Sequence, residues 1–305
     1  DAGGPVLKEN TVAEYYGTVF SLEESPVQKG VIWVGTDDGN VQVTQDDGKT
    51  WVNVAANIPG VGADAVVSAV EPSRKDAATA YVALERRMMD DFKPYLFKTT
   101  DFGKTWANIS GNIPATAYVQ VVREDPKNTN LVYVGTELGL YANWNGGSGD
   151  WTRLHLGNLP SVAVHEIRVH PRDNDLIVAT HGRAVWILDD ATPIQQMNAQ
   201  VAAKAAHLFP LRAATRFNTG GGEWMWGSQA FKGKNAEYGA TITYWMKDKP
   251  AADSLVKVEI VANGSVIRTI KKPSAAAGFN RVTWDLRYEA PKVLSDMPPD
   301  SSEPG

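Results

Sequence analysis

The sequence of 305 residues contains no cysteine, which excludes disulfide bonds and thiolate chemistry and leaves the redox compartment open. No apolar run approaches the roughly 20 residues that a membrane-spanning helix needs. Basic residues form no run and the net charge is −5, so nucleic acid is not an expected partner. The first five residues, Asp-Ala-Gly-Gly-Pro, are unlike a signal peptide, which predicts either a removed signal or a start inside a longer precursor.

What the chain does contain is apolar and aromatic. Hydrophobic residues make up 43% of it, with 10 Trp, 10 Tyr and 8 Phe, enough to bury a sizeable core. Its length favours two domains.

An eight-residue pattern, Thr-x-Asp-x-Gly-Lys-Thr-Trp, occurs at residues 44–51 and again at 99–106. Strand-like runs flank it, so the Asp is expected to accept hydrogen bonds from its own turn while Gly supplies a positive φ. The pattern resembles the Asp-box, or BNR repeat, and this role is structural. The residues assigned to it are Thr44, Asp46, Gly48, Thr50, Trp51, Thr99, Asp101, Gly103, Thr105 and Trp106. Acid–base catalysis by the two aspartates is the weaker alternative.

The boxes belong to a longer repeat. A strand-like run precedes each of Pro26, Pro72, Pro126 and Pro171, and further strands follow. Four strands at a period of roughly 45–55 residues are typical of β-propeller blades. The third unit has a degraded box at 143–151 and the fourth has none. Four blades are few for Asp-box propellers, so an incomplete ring, or one completed by another polypeptide, is favoured over a closed four-blade ring.

The predicted organisation is all-β with one helical connection. It comprises an N-terminal loop (1–14), propeller blades (15–191), a linker helix (192–207), an Ig-like β-sandwich (208–292) and a disordered tail (293–305). Thr192-Pro193 is a helix-start signal. Alternating strands and an Asn263-Gly264 hairpin turn favour the sandwich.

The second domain carries a further resemblance. The run 278–287, Gly-Phe-Asn-Arg-Val-Thr-Trp-Asp-Leu-Arg, is similar to part of the Ig-like domain of the flagellar hook-capping protein. Together with the propeller and the run 179–190, it resembles the C-terminal part of bacterial secreted proteins described as sortilin-like or BNR-repeat glycosyl hydrolases. That resemblance implies the fold far more specifically than an activity, because the enzymatic label rests largely on the box.

Candidate chemistry is sparse. The best polar cluster comprises His165, Glu166, Arg168, His170, His181, Arg183, Asp189 and Asp190. Of these, His165, His181, Arg183 and Asp189 form either a ligand site or a hydrogen-bonded turn that locks the last blade, with Arg183 paired to an Asp. No metal or cofactor is predicted, because the ligands do not converge.

Two exposed-looking segments are candidate interfaces. Residues 85–94 lengthen the hairpin of the second blade and include Arg86, Arg87, Met88 and Phe92, residue types favoured in interfaces. Trp224 and Trp226 follow a run of three glycines. Each segment has an equally weighted alternative, in which its side chains cover the protein's own surface.

The sequence therefore predicts a non-catalytic protein-binding or structural module in the periplasm or outside the cell. Similar propellers include assembly factors that dock on photosystems, so an extrinsic subunit of a membrane complex is one specific form of this predicted function. The alternative is a glycan-binding or sialidase-type glycoside hydrolase, which needs two suitably separated carboxyl groups. A convergent carboxylate pair would favour that alternative, and an apolar surface on residues 88–92 would favour protein binding.

Overall fold

The computed structural model describes residues 16–62, 64–155, 157–216, 237–251 and 256–290. The chain divides into two compact units, Asp1–Met197 and Asn198–Gly305. The predicted N-terminal loop, the predicted tail, and Trp224 and Trp226 lie outside the described residues.

The first unit consists of four antiparallel meanders, in which consecutive strands pair side by side. Their short β-branched and aromatic runs, separated by turn residues, favour this arrangement. Blade 1 comprises β1 (Val19–Glu24), β2 (Ile32–Thr36), β3 (Val41–Thr44) and β4 (Val52–Asn53). Blade 2 comprises β5 (Val66–Pro72), β6 (Ala80–Arg86), β7 (Asp91–Thr99) and β8 (Ala107–Asn108).

The third and fourth blades continue the series. Blade 3 comprises β9 (Val119–Glu124), β10 (Val132–Thr136), β11 (Gly139–Asn143) and β12 (Thr152–Leu154). Blade 4 has three strands, β13 (Val164–Val169), β14 (Leu176–Thr180) and β15 (Val185–Leu188). The sheets confirm the predicted all-β fold of propeller blades.

The hydrophobic core lies between blades. Trp33 and Val43 of blade 1 share one cluster with Val82 and Phe97 of blade 2. Two further clusters join blade 2 to blade 3 and blade 3 to blade 4. Each blade therefore buries its apolar faces only by packing on its neighbours, as expected of a repeat architecture.

The two repeated octapeptides form turns with the same hydrogen bonds. Asp46 Oδ1 accepts from the Thr44 hydroxyl at 2.8 Å and from the Thr50 backbone N–H at 2.9 Å, and Oδ2 accepts from the Thr50 hydroxyl at 2.7 Å. The three distances at Asp101 are identical. These donors lower the pKa of Asp46 to about 2, the Thr50 N–H contributing most. Asp46 has the geometry of a turn-stabilising carboxylate.

Two asparagines, one after the last strand of blade 1 and one after the last strand of blade 2, form hydrogen bonds to the following blade. Asn57 Nδ2 donates to the backbone oxygen of Gly103 at 2.9 Å. Asn112 makes two bonds with the backbone of Trp151, accepting from its N–H at 2.6 Å and donating to its oxygen at 3.2 Å. The box turn of one blade is thus held by the end of the preceding blade.

The connection between the units differs from the predicted single helix over 192–207. Two short helices, α1 (Thr192–Gln196) and α2 (Ala199–Ala203), are separated by Met197, which is extended at φ −63° and ψ 132°. The reason is local, because the Asn198 side chain accepts from the Val201 N–H and caps a second helix. Thr192 is the first helical residue, and Ala191 precedes it without a side-chain cap.

The second unit has a three-stranded sheet and a hairpin. The sheet pairs β16 (Ala206–Leu208), β17 (Ala240–Met246) and β20 (Gly278–Trp284), and the hairpin consists of β18 (Lys257–Ala262) and β19 (Ser265–Lys271). Asn263 and Gly264 both have positive φ, the geometry of the expected two-residue turn. Classification of this unit as an Ig-like sandwich stays a prediction.

Candidate functional site

Charged side chains occupy one repeated position in the first strands of the four blades. They are Glu23, Glu71, Arg123 and Arg168. Their register partners on the second strands, Trp33, Tyr81, Tyr133 and Ile177, are likewise equivalent in the repeat. Because the first strands of adjacent blades lie side by side, the repeat brings these charges together.

The charges form a continuous ion-pair network through all four blades. Arg123 makes a two-point contact with Glu166, Nε to Oε1 at 3.0 Å and Nη2 to Oε2 at 2.9 Å. Its Nη1 lies 3.4 Å from Glu71 Oε2. Arg168 continues the network, 3.4 Å from both Glu166 and Glu23. We refer to these five residues as the central network.

Burial is uneven along the network. Glu71 is 4% exposed, whereas Arg168 and Glu166 are much more accessible. Burial raises the pKa of Glu71 to about 7, although Arg123 and then Arg74 oppose the shift. One end of the network is therefore a buried pair and the other a solvated one, which matters because only buried pairs leave an uncompensated charge when broken.

A second buried carboxylate joins blade 3 to blade 2. Glu124 is 3% exposed and accepts from the Ser73 hydroxyl at 2.8 Å, the Arg74 N–H at 2.6 Å and the Tyr81 hydroxyl at 3.4 Å. Burial raises its pKa, while these donors lower it. Its backbone N–H donates to Glu71 Oε1 at 3.3 Å, so the two residues are in direct contact.

Both carboxylates line a cavity of about 260 Å³, together with Arg74, Arg123 and Arg168. The cavity has room for water or a small anion. Chemically, two carboxyl groups that line one cavity and have raised pKa values are the groups that acid–base catalysis uses. Here, however, each accepts hydrogen bonds or ion pairs that join blades, so the arrangement is equally that of an interblade lock.

The raised pKa of Glu71 predicts how stability changes with pH. A carboxyl group whose folded pKa exceeds its unfolded value stabilises the fold when protonated, and that contribution is lost as pH rises from about 4.5 through about 7. We expect Glu71→Gln, which cannot titrate, to remove a fall of about 3 kcal/mol in the free energy of unfolding across this window. Denaturant titrations at several pH values measure it. Glu166→Gln, at an accessible carboxylate of the network, is expected to keep the fall, and an unchanged slope in Glu71→Gln would contradict the assignment.

The predicted interface in blade 2 forms a well-held hairpin tip between β6 and β7. Arg86 pairs with Asp91 at 3.2 Å, and Asp91 also accepts from the Tyr95 hydroxyl at 2.7 Å. Met88, Met89 and Phe92 are nevertheless exposed. The Arg87 guanidinium lies 5.9 Å from the ring centre of Tyr118 in blade 3. We call Arg87, Met88, Met89 and Phe92 the loop-end patch.

The polar cluster predicted in the fourth blade is only partly assembled. The rings of His165 and His181 lie 5.0 Å apart. The pKa of His165 is lowered, mainly because the ring is partly removed from solvent and secondly because His181 is nearby. Arg183 accepts from the Trp186 indole through its backbone oxygen, and no Asp pairs with its side chain among the described residues. Asp189 follows β15, at the other end of that strand from the His181 turn. The histidine pair thus stands apart from Asp189.

Sequence reasoning missed Glu71, Arg123 and Glu124 and did not foresee a cluster of arginines. The signal was present, since Glu23, Glu71, Arg123 and Arg168 can be aligned by the repeat. In the part of the chain that the structure describes, no group of three or more His, Asp or Glu side chains is placed to hold a metal ion. None of the described helices has the length and apolar character needed to cross a bilayer.

No protein-family model matches the chain. A xyloglucanase of Hypocrea jecorina (strain QM6a) is 29% identical over 189 residues, which are 58% of this chain and 22% of the relative. Among solved structures, YCF48 bound to D1 peptide is 15% identical at a TM-score of 0.41, covering 57% of this chain and 52% of that chain. The GH74 xyloglucanase from Xanthomonas campestris is 14% identical at a TM-score of 0.43, covering 86% and 39%.

This chain therefore spans less than a quarter of the curated relative that it matches. The solved structures resemble it at TM-scores below 0.5, so neither carries an argument about function. The propeller assignment rests on this chain's own four consecutive sheets.

Proposed function

We propose that this chain is a non-catalytic, protein-binding propeller module that acts in the periplasm or outside the cell. The exposed loop-end patch carries the proposal. Three large apolar side chains, Met88, Met89 and Phe92, are exposed to solvent beside Arg87. They lie on a hairpin tip that is held by the contacts of Asp91 with Arg86 and Tyr95. Met, Arg and aromatic residues are enriched in protein interfaces, and a fixed tip loses little entropy on binding.

We place the chain, within the same proposal, among the sortilin-like Asp-box propellers, with an Ig-like second unit. Its partner in this proposal is a protein, and an extrinsic position on a membrane-associated complex is the specific setting. The identical hydrogen bonds of the Asp46 and Asp101 turns support a structural role for the boxes, because both carboxylates are fully engaged within their own turns.

Glycan binding or hydrolysis is the second candidate. Glu71 and Glu124 line one cavity with raised pKa values, and the curated relative is a xyloglucanase. Against hydrolysis, both side chains are almost completely buried and occupied by interblade partners. A general acid must reach the glycosidic oxygen of its substrate, and these carboxyl groups are not accessible to a polysaccharide.

The test compares three forms of the chain. Three tagged forms are used to purify partners from the native source. They are the wild type, a Met88→Ser/Phe92→Ser double variant and a control, Val261→Ser, at an exposed apolar residue of the second unit. Any candidate partner is then titrated with each form as a purified protein. We expect binding by the wild type and the control and at least a tenfold loss in the double variant, since hot-spot side chains contribute about 2 kcal/mol or more.

The same preparations are assayed on xyloglucan and sialylated glycans. If the wild type hydrolyses either glycan, and a folded Glu71→Gln or Glu124→Gln variant does not, the chain is a glycoside hydrolase and the protein-binding proposal is wrong. Equal partner binding by the double variant and the wild type, or no partner at all, would also overturn it.

A further inference from the structure

The cavity beside the central network has apolar as well as charged walls. It is lined by residues of blades 2, 3 and 4 and has a volume of about 260 Å³. Pro126 and Pro171, which follow the first strands of blades 3 and 4, form its apolar walls together with Ile167 and Val169. Because water takes up about 30 Å³ per molecule, the cavity holds about eight waters or one organic molecule of similar size.

Two of the arginines that line this cavity have hydrogen-bonding capacity left for a ligand. Arg74 is exposed, and although its backbone N–H donates to Glu124, its guanidinium forms no hydrogen bond or ion pair with any of the described residues. The side chain of Arg168 is 50% exposed, and its contacts with two glutamates are both as long as 3.4 Å. A guanidinium offers five N–H donors. Solvent therefore reaches the cavity beside two cations with unused donors.

We propose that this cavity binds a small organic monoanion, namely a carboxylate with a short alkyl chain, together with one proton carried by Glu71. The carboxylate accepts hydrogen bonds from Arg74 and Arg168, because a guanidinium matches the two oxygens of a carboxylate. The alkyl chain, of about four to six carbon atoms in a cavity of this size, packs against the apolar walls. A dianion such as sulfate is disfavoured, since those walls leave its remaining oxygens without donors.

Charge balance requires the proton. The ionisable groups that surround Glu71 lie on or next to four strands, and they are Glu23 on β1, Arg74 after β5, Tyr81 on β6, Arg123 and Glu124 on β9, and Glu166 on β13, which reaches it through Arg123. With Arg168, the site holds three cations and, with Glu71, four carboxylates, so a further anion would be repelled. Protonation of Glu71 removes one negative charge and releases part of the field of Arg123 toward the ligand. Glu124 is less suited to carry the proton, because three donors hold its charged form.

The environment of Glu71 supports this assignment and fixes the direction of the pH dependence. Burial raises the pKa of Glu71 to about 7. The protonated fraction therefore falls from about nine-tenths at pH 6 to about one-tenth at pH 8. An apparent dissociation constant equals the intrinsic one divided by the competent fraction. Affinity for a carboxylate, which is itself ionised at both pH values, should thus fall about tenfold.

Isothermal titration calorimetry of the whole chain with sodium hexanoate tests the site. We expect the wild type to bind one hexanoate per chain at pH 6 and to bind it about tenfold more weakly at pH 8. Titrations at pH 8 in two buffers of different ionisation enthalpy should show the uptake of about one proton per anion. Sodium sulfate should bind more weakly than hexanoate at both pH values.

Two variants and a control separate the contributions. Glu71→Gln keeps the shape of the side chain but cannot ionise, so it should bind hexanoate equally well at pH 6 and pH 8. Arg74→Met removes the guanidinium with unused donors and should weaken binding at pH 6 at least about tenfold. The matched control is Lys75→Met, which removes an exposed charge next to Arg74 that does not line the cavity, and it should bind as the wild type does. Near-ultraviolet circular dichroism checks that each variant is folded.

Several results would overturn the proposal. They are the absence of saturable hexanoate binding by the wild type at pH 6, an unchanged affinity in Arg74→Met, an equal affinity of the wild type at both pH values, and a pH dependence that survives in Glu71→Gln. Tighter binding of sulfate than of hexanoate would mean that the cavity takes an inorganic anion, and it would equally contradict the assignment of a carboxylate ligand.

Discussion

Replacing Arg123 by methionine is expected to lower the free energy of unfolding of the propeller unit by about 3–5 kcal/mol above pH 7. The guanidinium is the only cation paired with Glu71 among the described residues, and it also holds Glu166 through two bonds. Methionine fills similar space but leaves a buried carboxylate uncompensated. Unfolding in denaturant, followed by tryptophan fluorescence, measures the loss.

The pH dependence separates this cause from lost packing. Since burial already raises the pKa of Glu71 to about 7, the carboxylate left in Arg123→Met is neutralised by a proton at low pH. The loss should therefore be much smaller at pH 5 than at pH 8. Arg168→Met is the matched control, because it breaks pairs of the same network at an accessible site and should cost less than about 1 kcal/mol. An equal loss at both pH values would point to packing instead.

The architecture could be predicted from the sequence because each blade repeats its signals. Strand runs, proline turns and two near-identical box turns recur in order, and local hydrogen bonds such as those of Asp46 depend on no distant residue. The linker was predicted less well. Thr192-Pro193 correctly indicates the start of a helix, but Asn198 caps a second helix three residues from the end of α1, and the helical spacing of apolar residues does not reveal that break.

The central network could not be predicted from single motifs, because its members are about 50 residues apart and meet only through blade packing. Arg123 contacts Glu71 in one neighbouring blade and Glu166 in the other. Their equal places in the repeat are visible in the sequence, but which of them pairs with which depends on side-chain reach. The hairpin tip is similar, because its sequence is compatible with both an interface and a covered surface. Phe92 is exposed in the structure, and the interface stays a prediction.

The second large effect concerns two tryptophans that the sequence does not distinguish. Trp51 and Trp106 end near-identical octapeptides, yet Trp51 is 40% exposed and Trp106 only 8%. Trp106 packs edge-on against Trp33 of blade 1, with ring centres 6.1 Å apart. Trp51 belongs to the first of the described blades, and its indole N–H donates within its own turn to the Gly48 oxygen, at 3.1 Å.

Trp106→Ala is therefore expected to lower the free energy of unfolding by about 3–5 kcal/mol, the range for a large aromatic removed from a core. Trp51→Ala should cost less than about 1 kcal/mol, as at other surface positions. Both losses are measured by chemical denaturation. Equal losses would mean that the box tryptophan stabilises its own hairpin. A difference of several kcal/mol means that it joins one blade to the blade before it.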